Sequence, residues 1–416
     1  MLKKSIFGFF RGIAKKSVFL RKIMRKVLLW YRRLIFNKNT KGIKMSEKKV
    51  FFNSFNGKSY TCSPKAVYEY MLSDPKFADY EFIWNAENPE SLEFLLQNPR
   101  TSIVKNRSVE YDRALASSKY WFCNYRLYDY IIPKKDQVYV QCWHGTPLKK
   151  LGFDLTNSDN VMNSYEEICF MYGHDAARFN YILSPSRFAS EKFATAWNLI
   201  KTKQTDKIVE VGYPRNDFLL NHKPEDVLRV KETLNIPLDK KVLLYAPTWR
   251  DNQHSSELGY TYKNTVDFDK MKSVLGDDWV ILFRAHYLVA NSFDFAKYEG
   301  FVYNASDYGD INDLYITADV LMTDYSSVFF DYANLQKPMI FYMYDKFLYE
   351  NNLRGFYVDL DELPGPIIEE EDEMIEKLAT VDQWFSYDER YKAFNDKFNY
   401  LDDGQASKRL VDVVIK

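Results

Sequence analysis

The stretch KVLLYAPTW, residues 241–249, is an apolar run of strand length that breaks at Pro247. Runs of the same kind recur later in the chain, separated by stretches of helical length and spacing: WVILFRAH (279–286), VLMTDYSS (320–327) and PMIFYMY (338–344). Strands that alternate with helices are typical of a parallel sheet with helical crossovers. The sequence therefore predicts an α/β domain in this half of the chain.

A second alternating series precedes the first. It contains KKVFFNSF, YEFIWNA, SIVKN, KYWFCNY, QVYVQCW and KIVEVGYPRNDFLL, the last at residues 207–220. A chain of 416 residues is too long for one core, because single cores stop growing at roughly 250–300 residues. We therefore predict two Rossmann-like domains that face a cleft, at residues 45–220 and 221–416.

The first 44 residues carry 14 of the 57 Lys and Arg residues and no Asp or Glu. Apolar side chains recur there at three-to-four spacing, which predicts an amphipathic helix lying on an anionic membrane surface. The alternatives are a helix packed on its own protein and a basic nucleic-acid arm. No basic stripe continues into the body of the chain, which disfavours nucleic acid as a partner. The basic residues predicted on the polar face are Lys4, Arg11, Lys15, Lys22, Lys26 and Arg33.

Several classes of protein are disfavoured by the sequence. The longest apolar run in the first 44 residues, Val27–Tyr31, is far short of the roughly 20 residues of a membrane span, and no signal-peptide pattern is present. The four cysteines show no CxxC spacing, which indicates reduced thiols in a cytosolic protein and disfavours structural zinc. The dinucleotide-binding GxGxxG and the P-loop motif are both absent.

Ligands of open parallel sheets bind beyond the carboxyl ends of the strands. The residues that follow the predicted strands are polar and cationic, as a phosphorylated substrate requires. Ser326 and Ser327 fall at a predicted helix start, where free N–H groups attract phosphate. The candidate phosphate-binding residues are Arg215, Thr248, Arg250, Arg284, Asp324, Ser326 and Ser327.

Two histidines also follow predicted strands. His144 is either a general base or an imidazole held by backbone at a strand end, and His286 either contacts a diphosphate or pairs with a carboxylate. Asp324 is either a ligand or a helix cap. No two histidines have a metal-binding i, i+4 spacing, so we predict no dedicated metal site.

These residues resemble the motifs of the CDP-glycerol glycerophosphotransferases of teichoic acid and capsule synthesis. The resemblance covers roughly residues 50–412 and rests on segments in the family's order: His144-Gly145-Thr146-Pro147-Leu148-Lys149, Gly212-Tyr213-Pro214-Arg215-Asn216-Asp217, Ala246-Pro247-Thr248-Trp249-Arg250, Arg284-Ala285-His286, Thr323-Asp324-Tyr325-Ser326-Ser327, Arg354-Gly355-Phe356, Pro364-Gly365-Pro366 and Asp403-Gly404-Gln405-Ala406-Ser407. It implies a GT-B fold with the acceptor in the first domain and CDP-glycerol in the second.

The resemblance further implies transfer of glycerol phosphate to a lipid-linked acceptor, release of CMP, and peripheral attachment at the cytoplasmic face of the cell membrane. His144 would be the base and His286 would contact the donor diphosphate. No cofactor is required by this scheme, although Mg²⁺ is compatible with it. The alternatives are a ribitol- or other polyol-phosphate transferase, a GT-B glycosyltransferase that uses a nucleotide sugar, and a non-catalytic membrane scaffold.

Overall fold

The structure of the protein is a computed structural model. It describes residues 18–155, 163–248, 254–255, 259–260, 266–285, 293–346 and 355–415, with only the backbone described at 18–22, 254–255 and 259–260. Two predicted site residues, Arg250 and His286, lie outside the described residues, as do Lys4, Arg11 and Lys15 of the N-terminal segment.

Two parallel sheets organise the described residues. The first half of the chain contributes strands β1 (Ser46–Asn53), β2 (Glu81–Ala86), β3 (Thr101–Lys105), β4 (Ser118–Cys123), β5 (Val138–Gln141), β6 (Tyr181–Ser184) and β7 (Ile208–Glu210). They form one parallel sheet in the order β3-β2-β1-β4-β5-β6-β7.

The second half contributes β8 (Lys241–Ala246), β9 (His254–Ser255), β10 (Gly259–Tyr260), β11 (Trp279–Phe283), β12 (Val302–Asn304), β13 (Val320–Thr323), β14 (Met339–Tyr342) and β15 (Ile367–Ile368). Six of these strands form the second parallel sheet, in the order β12-β11-β8-β13-β14-β15. The short strands β9 and β10 pair only with each other. The predicted α/β architecture with two parallel-sheet domains is confirmed.

Helices connect the strands. They are α1 (Val18–Thr40), α2 (Cys62–Ser73), α3 (Val109–Ser117), α4 (Tyr165–Ala176), α5 (Arg187–Ala196), α6 (Leu199–Thr202), α7 (Asp217–Asn221), α8 (Pro224–Thr233), α9 (Phe268–Leu275), α10 (Ile311–Thr317), α11 (Val328–Tyr332), α12 (Glu371–Ala379), α13 (Val381–Trp384), α14 (Glu389–Phe398) and α15 (Ala406–Val414). Side chains cap several of them, as where Ser164 and Glu167 form a capping box at the start of α4.

The strands are buried on both faces, which explains their nearly continuous apolar sequences. Residues Val242–Leu244 of β8 and Val280–Phe283 of β11 are almost inaccessible to solvent. Each sheet has one apolar cluster on either face, so each domain is a three-layer unit with its own core. This layering places the carboxyl ends of the strands at one edge of each sheet, where ligands of such folds bind.

The last helix does not pack where chain order alone would put it. Leu410, Val411 and Val414 of α15 join the core of the first sheet, beside Val50 and Phe52 of β1. The sequence predicts that the whole of 221–416 belongs to the second domain. The structure instead returns the C-terminal helix to the first domain, because the apolar face of α15 is buried against α2 and β1.

The carboxylate of Asp217 holds this returning helix in place. It accepts hydrogen bonds from the backbone N–H groups of Ala406 and Ser407, at 2.8 and 2.7 Å. Asn221 donates from Nδ2 to the carbonyl oxygen of Gly404 at 2.9 Å. The GYPRND and DGQAS motifs are therefore partners in the fold.

Helix α1 lies against the first domain through its C-terminal half. Phe36 is buried, and Asn39 donates from Nδ2 to Asp112 Oδ2 at 2.7 Å. The exposed residues of α1 include Lys26 and Arg33 together with apolar side chains: Ile23, Val27, Leu28, Trp30, Tyr31 and Leu34. Lys26 and Leu28 line a cavity between α1 and α4, opposite Glu166 and Phe170. Among the described residues, no helix is both long enough and apolar enough to cross a membrane. The predicted membrane-surface role of this segment stays a prediction.

We predict that Asp217→Ala lowers the free energy of unfolding by about 1–2 kcal/mol, because two N–H groups at the start of α15 lose their acceptor. Urea denaturation followed by circular dichroism measures the change. Asp396→Ala is the matched control, since this exposed carboxylate forms an ion pair with Lys392 one turn away and its loss is expected to cost less than about 0.5 kcal/mol. Equal stability of the two variants would contradict the capping role of Asp217.

Candidate active site

His144 is presented by a kink just beyond strand β5. The strand ends at Gln141, and Trp143 has a positive φ of 48°, a conformation that costs a bulky residue energy. The Trp143 N–H donates to Gln141 Oε1 at 3.1 Å, and its ring packs edge-on against Trp197 at 4.8 Å between centroids. These contacts hold the strained turn that directs His144 to the carboxyl edge of the first sheet.

The imidazole of His144 has a defined tautomer. Its Nδ1 lies 3.0 Å from the carbonyl oxygen of Asn124, which can only accept a hydrogen bond. Nδ1 therefore carries the proton, and the lone pair is on Nε2. The rings of Phe55 and Tyr125 flank the imidazole at centroid distances of 5.7 and 6.1 Å. The arrangement leaves one nitrogen available as a proton acceptor.

The surroundings of His144 favour its neutral form. Burial lowers the pKa of His144 to about 4, the carbonyl of Asn124 opposes this effect, and the positive charges of Arg215 and Arg126 add to it. At neutral pH the imidazole is thus unprotonated and able to accept a proton from a hydroxyl group.

Gly145 lies where the two domains meet. A β-carbon added at this position would lie 3.2 Å from Ser327 Oγ of the second domain and 3.7 Å from Arg215 Nη2 of the first. A β-carbon here would require Ser327 to move by a few tenths of an ångström, whereas glycine fits without any shift. The HGTP segment, Arg215 and Ser327 therefore come together in one place.

Arg215 and Asp331 form an ion pair across the domain boundary. Arg215 follows β7, in the 3₁₀ turn Pro214–Asn216, and Asp331 lies on α11. Nη2 of Arg215 lies 2.7 and 2.8 Å from the two carboxylate oxygens of Asp331, and both side chains are about 8% exposed. The guanidinium also stacks over the Tyr213 ring at 4.4 Å. Its position is thus fixed by partners from both domains.

The residues that follow His144 form a second connection between the domains. The backbone N–H of Tyr357 donates to the carbonyl oxygen of Leu148 at 2.8 Å. The backbone N–H of Lys150 donates to the carbonyl oxygen of Gly355 at 2.9 Å. Lys149 and Phe356 make the antiparallel bridge between these two hydrogen bonds. The HGTPLKK and RGF motifs therefore pair as backbone, and this pairing anchors the segment that carries His144.

The predicted residues of the second domain have specific partners. Asp324, just after β13, accepts from both the N–H and the Oγ1 of Thr248, at 2.8 and 2.7 Å, and so holds the turn after β8. Arg284 donates from Nη1 to the carbonyl oxygens of Ala305 and Tyr308 at 2.8 and 2.9 Å. Burial lowers the pKa of Arg284. Arg284 thus braces the loop after β12.

The structure brings His144, Arg215 and Ser327 together and joins Thr248 to Asp324. Ser326 and Ser327 precede α11, which has only five residues. Roles in substrate binding or catalysis stay predictions for all of these residues. No group of three or more His, Cys, Asp or Glu side chains in the described part of the chain is arranged to hold a metal ion.

Sequence reasoning missed three features of this site. The carbonyl of Asn124 leaves no trace in a sequence, because every residue has one. Asp331 lies four residues after Ser327, a spacing that would place both on one side of a helix, but its partner is 116 residues away. The start of α2, next to Arg215, carries no recognisable signal in the sequence, because CSPK resembles no binding motif.

We predict that Gly145→Ala lowers the free energy of unfolding by about 1 kcal/mol, because the added carbon crowds the Ser327 hydroxyl at the domain boundary. Urea denaturation measures the loss. Gly309→Ala serves as control, since an added carbon there meets no described atom within 4 Å. If the two variants unfold at the same urea concentration, the backbone at Gly145 is not tightly packed against Ser327.

Known proteins share both the sequence and the fold. A family model described as CDP-Glycerol:Poly(glycerophosphate) glycerophosphotransferase matches residues 35–416. A teichoic acid glycerol-phosphate transferase of Staphylococcus aureus (strain NCTC 8325 / PS 47) is 40% identical over 372 residues, which are 88% of this chain and 92% of that protein. The wall teichoic acid polymerase TagF, solved as a histidine-to-asparagine variant with CDPG, has a TM-score of 0.83 at 35% identity, covering 97% of each chain.

Some relatives are longer than this chain. A teichoic acid poly(glycerol phosphate) polymerase of Bacillus subtilis (strain 168) is 38% identical over 375 residues, which are 89% of this chain and 49% of that protein. The chain thus spans about half the length of that polymerase. The family match nevertheless covers the two sheets, the HGTP segment and the returning helix, and it confirms the resemblance inferred from the motifs. The protein belongs to the CDP-glycerol:poly(glycerophosphate) glycerophosphotransferase family.

Proposed function

We propose that this protein transfers glycerol phosphate from CDP-glycerol to a hydroxyl group of a lipid-linked acceptor, in teichoic acid or capsular polymer synthesis, and releases CMP. Membership of the family supports the donor and the reaction. The observation that carries the proposal is the state of His144: a neutral imidazole at the joint of the two domains, with Nδ1 bound to a carbonyl and Nε2 available.

The reaction is a single displacement at the β-phosphorus of the donor. Nε2 of His144 takes the proton of the acceptor hydroxyl while its oxygen bonds to phosphorus. The bond from phosphorus to the bridging oxygen breaks, and CMP leaves with that electron pair. Anionic substrate also offsets the positive charges of Arg215 and Arg126, so the pKa of His144 rises when the donor binds and the imidazole becomes a stronger base.

The remaining residues have supporting roles in this proposal. Ser326 and Ser327 face the transferred phosphoryl group, since Ser327 approaches Gly145 next to the base. The Thr248–Asp324 pair shapes the donor pocket at the edge of the second sheet. His286 is proposed to contact the donor diphosphate, as the motif match predicts, and Arg250 to bind a donor phosphate, as its guanidinium after β8 predicts. The scheme requires no protein-bound metal, and Mg²⁺ on the donor diphosphate is compatible with it.

A GT-B arrangement follows from the same proposal. The acceptor binds the first domain, residues 45–220 joined by the returning helix α15, and the donor binds the second domain, formed by the rest of residues 221–416. The parallel order of both sheets and the return of α15 to the first domain support this arrangement. The reacting groups would then meet where Gly145, Arg215 and Ser327 converge.

An assay of donors tests the proposed reaction. The protein is incubated with a lipid-linked acceptor and CDP-glycerol, CDP-ribitol or a UDP-sugar, and nucleotide release and product mass are followed. We expect CMP and an added glycerol phosphate from CDP-glycerol. If the protein prefers CDP-ribitol or a nucleotide sugar, that compound is the donor in place of CDP-glycerol. If calorimetry shows that none of these donors binds, the result favours a non-catalytic scaffold.

In the same assay, His144→Ala is expected to lower kcat by about 10²–10⁴-fold and to leave CDP-glycerol affinity within about threefold, because a general base acts in the chemical step. His222→Ala is the matched control, since His222 contacts the carbonyl of Leu219 and the ring of Phe218, both in the preceding turn of the chain. Near-normal turnover by His144→Ala would refute the assignment of the base.

We propose that α1 attaches the protein to the cytoplasmic face of the membrane, where a lipid-linked acceptor would be found. Trp30 is 63% exposed and Leu34 48% exposed, although both are large apolar side chains. Lys26 and Arg33 on the same helix are exposed cations that anionic headgroups would attract. No nucleic-acid partner is proposed.

Vesicle flotation tests this attachment. The double variant Trp30→Glu, Leu34→Glu is expected to bind phosphatidylglycerol vesicles at least about tenfold more weakly than the wild type, because two anchors are lost and two negative charges are added. Leu238→Glu is the control, because Leu238 is equally exposed but lies on another surface. If the double variant floats with vesicles as the wild type does, α1 is not the membrane contact.

A further inference from the structure

The start of helix α2 is directed at the joint between the domains and has no side-chain cap. Thr61 precedes the helix but makes no capping hydrogen bond, so the first-turn N–H groups lack the usual side-chain acceptor. Cys62, its first residue, has a positive φ of 65°. A helix start of this kind attracts anions, because its N–H groups and dipole point outward.

Two buried side-chain groups at this helix start lack partners. Ser63 is inaccessible to solvent, and its Oγ has no hydrogen-bond partner among the described residues. Nε of Arg215 is also buried and has no hydrogen-bond partner among the described residues. The Nη1 atom of Arg215 lies 3.9 Å from Cys62 Sγ, which directs the guanidinium at the first turn of α2. Unpaired buried donors are costly, so this pair of groups indicates a missing acceptor.

The helix start and His144 share one wall of the site. Ser54 donates from Oγ to the carbonyl oxygen of Thr61 at 3.0 Å, and the N–H of Phe55 donates to Asn124 Oδ1 at 2.8 Å. Asn124 is the residue whose carbonyl orients His144. The loop before α2 is therefore tied to the same residue as the base.

The nearby acidic groups are already paired. Asp331 is bound to Nη2 of Arg215, and Asp310 accepts a hydrogen bond from Lys65, one turn further along α2, at 2.7 Å. Glu69 accepts from the hydroxyl of Tyr60 at 2.9 Å. Thr61 and Arg215 are each 7% exposed and Cys62 8%, so the helix start opens narrowly to solvent.

We propose that the start of α2, with Ser63 and Arg215, is a subsite for a phosphate group of the acceptor. This inference rests on the proposed function, in which the hydroxyl next to that phosphate is activated by His144. An acceptor that ends in a polyol phosphate carries its nearest phosphodiester only one polyol away from the reacting hydroxyl. The subsite belongs to the first domain and so does not compete with the donor in the second.

Binding of sn-glycerol 3-phosphate to the full chain tests the subsite without any turnover. Ser63→Ala is expected to weaken binding about tenfold, and Ser63→Asp to abolish it, because the added carboxylate repels the phosphate. Ser73→Ala, at the exposed far end of the same helix, is the matched control and should bind like the wild type. Calorimetry measures affinity, and circular dichroism checks that each variant is folded.

Steady-state kinetics distinguish acceptor from donor. Ser63→Ala should raise KM for an acceptor ending in glycerol phosphate about tenfold and leave KM for CDP-glycerol unchanged. Equal binding of sn-glycerol 3-phosphate to wild type and both Ser63 variants, or a rise only in the KM for CDP-glycerol, would overturn the subsite. If CDP-glycerol proves not to be a donor, the proposed function fails, while the binding experiment still decides whether the subsite exists.

Discussion

The ion pair between Arg215 and Asp331 is the constraint on which the geometry of the site depends. Both groups are withdrawn from water, and a buried charge that loses its partner typically costs about 3–5 kcal/mol. The pair therefore holds the loop after β7 against α11 and sets the narrow space in which Gly145 must fit. The same guanidinium places a positive charge close enough to His144 to lower its pKa. The Arg215–Asp331 pair therefore joins the domains, and its guanidinium also lowers the pKa of His144.

Other sequence motifs form hydrogen bonds that stabilise the contact between the two domains. Residues 148–150 pair with 355–357 as backbone, and Asp217 caps the helix that returns to the first domain. These contacts show that motifs far apart in sequence depend on one another in the fold, because each supplies hydrogen-bond partners to another. A change in such a motif would alter stability and site geometry together, so loss of activity alone would not identify a residue that contacts substrate.

The sequence allowed the architecture to be predicted because apolar runs of strand length and the helical spacing between them are local signals. It also predicted a site at the strand ends, where polar residues follow β5, β7, β8, β11 and β13. Orientation could not be predicted. Arg284 has the charge and position expected of a phosphate ligand, yet it contacts two carbonyls, and Asp324 holds Thr248. The pairing of Arg215 with Asp331 and the return of α15 depend on long-range packing that no local pattern encodes.

Titration of His144 tests the central claim most directly. Histidines labelled with ¹⁵N are followed by NMR between pH 3.5 and 8, a range that spans the free and shifted pKa values, about 6.5 and about 4, and His144→Gln identifies the signal. Our account predicts the Nδ1–H tautomer, a pKa of about 4 in the free protein, and a rise in that pKa when CDP-glycerol binds. A pKa near 6.5 in the free protein, or the opposite tautomer, would contradict it.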